Sequence, residues 1–210
     1  MAIRRSASSG ARRPPDRTKA LTENQISALW RLDVSLREKT FWKMLYESAA
    51  RADDVLCPNV EGLYPQDKRG RITAKGGATE WIHWYSGTAQ LLPRLIPRRA
   101  HGPMFLTDRK TPAGTPTLNV CPETGRARLS YRRAEEIFEE STRLLANPLT
   151  SPEDIEDLDG WTLHRLRHSA LTHDAEGSRS ATPLPVDGAE PGTSAVRARK
   201  PAVERRHFPS

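Results

Sequence analysis

W-T-L-H-R-L-R-H-S-A-L-T-H, residues 161 to 173, constrains this protein more than any other stretch of the chain. As a helix it puts His164 and Arg167 on one face, three residues apart, and Leu163, Leu166 and Ala170 on another that can bury. A guanidinium fork and an imidazole side by side on a packed helix suit a phosphate oxygen, because the first binds it bidentately and the second exchanges a proton near neutral pH. Taken alone, H-x-x-R occurs by chance in many helices. Two other chemistries fail on particular residues. The zinc motif H-E-x-x-H needs a glutamate where Arg165 stands between His164 and His168. Ser169 beside His168 points in a different direction on a helix and has no elbow glycines, which argues against a serine hydrolase.

The 210 residues suffice for one ordinary domain with appendages. A hydrophobic share of 36% fits a packed core flanked by disordered ends. The net charge of +7 is carried mostly by those ends, since residues 1 to 20 and 177 to 210 are both basic and the part between is close to neutral. Within the middle, the acids cluster from Glu135 to Asp159, so the remainder is basic and a polyanion partner is expected, with salt-sensitive binding. Cys57 and Cys121 are too few for a metal site and read as thiols in a reducing compartment. With no apolar run able to span a bilayer and no secretion signal, a soluble cytoplasmic protein is expected, with no membrane partner and no small-molecule substrate.

Residues 1 to 20 read as a flexible basic arm, either solvated or in contact with DNA. Thr22 and Gln25 form a helix start, with Leu21 stapled to Ile26, and the helix is expected to reach about Leu36. A second helix buries Phe41, Trp42, Met44, Leu45 and Ala49 and leads into A-R-A-D-D-V-L, where Arg51 lies between alanines and Asp54 is one helical step on. By itself that pair also reads as a surface ion pair. Alternating runs from Val60 to Tyr85, broken at Pro65 to Gly70 and at Gly76-Gly77, predict a three-stranded antiparallel sheet with Lys75 at a hairpin mouth. Lys75 is either solvated there or, if the tip leans over the His164 helix, a proton donor. A short helix over residues 87 to 97, broken by Pro93, an extended piece from Gly102 to Asp108 and a loop from Thr111 to Gly125 follow. Ser130 caps a helix from Tyr131 to Ala146, with Ile137, Phe138, Leu144 and Leu145 as its core side, and an acidic loop then leads to Trp161. Residues 177 to 210 read as a disordered tail.

Three of these segments together resemble the tyrosine recombinase (phage integrase) family over roughly residues 21 to 176. H-R-L-R-H-S-A-L-T-H at 164 to 173 is similar to that family's H-x-L-R-H-S/T box. A-R-A-D-D-V-L is similar to its first-arginine motif, and Lys75 before Gly76-Gly77 resembles its hairpin lysine. The resemblance implies an α+β fold, a mainly helical catalytic domain with a small antiparallel three-stranded sheet. It also implies double-stranded DNA as partner and phosphoryl transfer through a tyrosyl phosphate without metal, ATP or other cofactor. On that pattern Arg51 and Arg167 clamp the phosphate, His164 assists proton transfer, Lys75 protonates the leaving oxygen and Asp54 orients Arg51. Charge gathering on the phosphoryl oxygens would then be stabilised more in the transition state than in the ground state.

The chain departs from the family after the box. The family has a second His or Trp motif there and then a tyrosine nucleophile, whereas Tyr46, Tyr64, Tyr85 and Tyr131 all precede it. No residue matches the nucleophile, and the tail from residue 177 has the composition of an out-of-frame reading of GC-rich coding DNA. A degenerate or truncated recombinase catalytic domain of a mobile element, inactive alone, is therefore expected. The alternatives are a partial site completed by a tyrosine from an intact recombinase protomer, and a non-catalytic DNA-binding regulator.

Overall fold

The structure is a computed structural model that describes residues 20–73, 77–111, 114 and 116–180, with residue 152 and the last four described by backbone alone. The basic arm, apart from Ala20, the tail beyond Ser180, and Lys75 lie outside the described residues.

Helix α1 (Glu23–Arg31) opens on the expected capping box: the Gln25 amide donates to Thr22 Oγ1 at 3.3 Å, and the Thr22 amide donates back to Gln25 Oε1 at 2.9 Å. Leu21 and Ile26 are both buried beside it. The helix stops at Arg31 and does not run to Leu36. The reason is a second cap, because Ser35 with Glu38 three residues on has the same capping signature, and Ser35 Oγ accepts from the Arg37 amide to start α2 (Leu36–Ser48). Phe41, Trp42, Met44 and Leu45 of α2 are the centre of the core. Ala49 closes α2 in the left-handed region at φ 49°, and Arg51 in extended conformation then starts the short α3 (Ala52–Leu56).

Strands β1 (Leu63–Tyr64), β2 (Arg69–Thr73) and β3 (Thr79–His83) form the antiparallel three-stranded sheet, in the order β1-β2-β3. Val60 to Gly62 is a 3-10 turn and not strand. The sheet's inner face carries Ile72 and Ile82, while Arg71 and Trp81 pair across its outer face. Helix α4 (Ser86–Leu95) contains Pro93 without breaking there; the proline is exposed, only two residues from the helix end. Glu47 of α2 caps α4, accepting from the amides of Tyr85, Gly87 and Thr88 at 2.9, 3.0 and 3.1 Å.

A second sheet lies where the sequence predicts an extended piece and a loop: β4 (Leu106–Lys110) pairs antiparallel with β5 (Arg126–Arg128), whose last residue Arg128 donates to the carbonyls of Leu56, Cys57 and Pro58. Helix α5 (Tyr131–Ala146) has the predicted bounds and the Ser130 cap. Its buried side is Ala134, Phe138 and Thr142, with Ile137 and Leu145 packed against the core, while Leu144 is 61% exposed. Four-residue spacing from Phe138 selects Ala134 and Thr142 and turns Leu144 to solvent. Helix α6 (Leu163–Ser180) buries Leu163, Leu166 and Ala170, as its pattern requires, and continues past Glu176. Trp161, Trp42 and Phe138 join the three long helices in one core, with Trp42 edge-on to Phe138 at 5.1 Å.

Candidate functional site

Two contacts fix the register of α6. Ser169 Oγ, fully buried, accepts from the Leu21 amide at 2.7 Å and donates to the Arg165 carbonyl at 2.8 Å, so this serine ties α6 to the entrance of α1. At the other end the Trp161 amide donates to Thr142 Oγ1 at 2.8 Å. Gly160 makes that approach possible, because a Cβ there would run into the Glu139 carbonyl and the Thr142 hydroxyl.

With α6 so placed, Arg167 reaches the link between α2 and α3, and its Nε donates to the Ala49 carbonyl at 2.9 Å. Ala49 is the residue in the left-handed conformation, so the turn that ends α2 supplies the acceptor for Arg167 and, two residues later, presents Arg51. Anchoring through Nε leaves the terminal nitrogens of Arg167 available to a ligand.

The outcome is a cleft of about 280 Å³ lined by Arg51, Ala52, Asp53, Tyr131, Leu163, His164 and Arg167. Arg51 and His164 are exposed and Arg167 is half-buried, so the cleft is open to a large partner. Three of the sequence-predicted residues, Arg51, His164 and Arg167, are therefore brought together. Asp54 does not line the cleft, and among the described residues it has no hydrogen bond or ion pair with Arg51. Its neighbour Asp53 lines the cleft instead.

Tyr131 and Asp53 escaped the reading of the sequence. Position 131 is legible only as the first residue of a helix, and nothing local says that this helix start meets α3 and α6. Burial, then the charge of Glu135 and a hydrogen bond to it, and last Asp53, push the Tyr131 phenol up to about 12, so it stays protonated. Glu135 is itself raised, above all by burial, although its Oε1 accepts from the Leu163 amide at 3.3 Å at the start of α6.

Among the described residues no group of three or more histidines, cysteines, aspartates or glutamates could hold a metal ion, and no helix is long and apolar enough to cross a membrane. The cleft's functional groups are two guanidiniums, an imidazole, a neutral phenol and one carboxylate, a set suited to an oxyanion of low charge.

No protein-family model and no curated protein sequence matches the chain. Solved structures do. The fold is similar to that of the XerA recombinase, with a TM-score of 0.54 at 15% identity, over 80% of this chain and 53% of that one. Also similar are the Tn1549 transposon integrase in complex with a circular intermediate DNA (TM-score 0.48, 13% identity, 76% of this chain and 54% of that one) and the XerH site-specific recombinase bound to its difH substrate (0.49, 15%, 80% and 45%). The chain thus spans about half the length of the structures it matches. It has the α+β fold of a tyrosine-recombinase catalytic domain.

Proposed function

We propose that this chain binds double-stranded DNA in the manner of a tyrosine recombinase and holds one phosphodiester in the cleft between α3 and α6. One observation carries the reading: Arg51, Arg167 and His164, from segments far apart in the chain, line a single open cleft on a recombinase-type fold. Arg51 and Arg167 grip the non-bridging oxygens and His164 serves proton transfer beside them. Lys75 as donor to the leaving oxygen and Asp54 as the orienting carboxylate of Arg51 enter through the family resemblance alone.

Strand cleavage of this type needs a tyrosine to attack phosphorus, and all four tyrosines of the chain precede the His164 box. On this reading the chain alone binds and positions DNA without cutting it, and a recombinase protomer that lends its tyrosine completes the site. The test is fluorescence anisotropy with a short duplex in fixed salt. Arg51→Ala and Arg167→Ala should each weaken binding about tenfold or more, and each should lower the salt slope by about 1. Equal binding by all three proteins would sink the proposal. Mixing the chain with an intact recombinase on a nicked suicide duplex then tests the shared site, since a covalent complex that depends on Arg167 is required.

A further inference from the structure

We infer that Tyr131 is a phosphate-binding residue of this cleft, its hydroxyl donating a hydrogen bond to a non-bridging oxygen of the bound phosphodiester. The inference rests on the phosphodiester reading of the cleft and adds to it a third element, α5, and a neutral donor.

The geometry is specific. Tyr131 is the first residue of α5, directly after its Ser130 cap, and it lines the same cleft as Arg51 on the approach to α3 and His164 and Arg167 on α6. It is 42% exposed, so the side chain reaches solvent while its inner part is packed. The other three tyrosines do not line this cleft.

The chemistry selects donation over attack. A phenol beside two carboxylates, Asp53 and Glu135, and partly withdrawn from water resists losing its proton, and it titrates only at about 12. At neutral pH it is an uncharged O–H whose one proton, within reach of the Glu135 carboxylate, turns to a bound anion in the cleft without adding charge. Two guanidiniums stand against the Asp53 carboxylate in the cleft lining, with Glu135 beside the phenol, so an anion of low charge fits the site better than a highly charged one. A neutral third donor then completes the coordination of an oxygen already gripped by arginine, and it favours a diester over more highly charged phosphates. The same raised titration makes Tyr131 a poor nucleophile, in keeping with a binding role.

The experiment uses the full chain and a short duplex of fixed sequence, titrated by anisotropy at several salt concentrations, with wild type, Tyr131→Phe and Arg167→Ala compared. Tyr131→Phe keeps the ring and its packing, so its melting temperature should match wild type. Its affinity should fall about tenfold at every salt concentration with an unchanged salt slope, because no charge is removed. Arg167→Ala should lower both affinity and slope. Wild-type affinity in Tyr131→Phe, with Arg167→Ala still impaired, overturns the role of Tyr131 and leaves the cleft reading intact. Unimpaired binding in Arg167→Ala overturns the cleft reading, and the present inference with it. A covalent adduct on a nicked suicide duplex that is lost in Tyr131→Phe also overturns the inference, since it makes this tyrosine a nucleophile.

Discussion

Arg167 does two things with one side chain: its Nε holds the Ala49 carbonyl, and the residue lines the cleft. A lysine could supply charge there but neither the Nε anchor nor the fork. Arg167→Lys should therefore bind duplex DNA about tenfold more weakly while keeping most of the salt slope, as read by the same anisotropy titration. Glu135 bears on pH. Its carboxyl is raised by burial, so the folded chain keeps that proton to higher pH than the unfolded chain, whose carboxyl titrates near the ordinary 4.5. The stability it contributes is complete below 4.5 and is lost as pH rises through the folded value. Glu135→Gln, which keeps an acceptor for the Leu163 amide, removes that loss. Its melting temperature should rise relative to wild type as pH is taken from 4 toward 7, and a constant difference across that range would contradict the burial argument. Ser169 is a further case in which a polar residue of the box is structural. Ser169→Ala leaves the Leu21 amide buried without an acceptor and should cost about 1–3 kcal/mol in denaturant unfolding.

At the scale of elements, the cleft depends on how closely α5 and the start of α6 approach. Gly160 is the contact point, and any side chain there meets the α5 backbone. Gly160→Ala should lower stability by about 3 kcal/mol and, by displacing α6, weaken DNA binding as well. A variant that unfolds like wild type would show that this approach is not tight. The α2–α4 junction is a second such point. Glu47 receives three amides at the start of α4, and Glu47→Ala should cost about 1–2 kcal/mol by chemical denaturation. Local signals announced most elements correctly because caps and periodicity act within a few residues. Thr22, Ser130 and the buried face of α6 are examples. The break between α1 and α2 interrupts a continuous apolar pattern, and only the capping signature of Ser35 and Glu38, the same as that of Thr22 and Gln25, marks it in the sequence. The β4–β5 pairing could not be read at all, because the short R-A-R run of β5 has no apolar alternation and is held by distant carbonyls.

At the scale of the whole molecule, charge and fold act together. The described domain presents an open cleft with two arginines between α3 and α6, and basic segments flank it in the sequence. What the amino-acid sequence determined by itself is what short range controls: the phosphate-suited pair on the α6 face, the caps, the three-stranded sheet, and the order of segments that resembles a tyrosine recombinase. The four tyrosines of the sequence all precede the box. Only the tertiary structure decided that Arg51 meets His164 and Arg167, because that depends on a left-handed turn at Ala49 and on α6 docked through Ser169 and Gly160. It alone decided that Asp53 and not Asp54 lines the cleft, and that Tyr131, which locally is only the first residue of a helix, joins them. Side chains far apart in a chain are brought to one point by packing, and packing is a property of the folded whole.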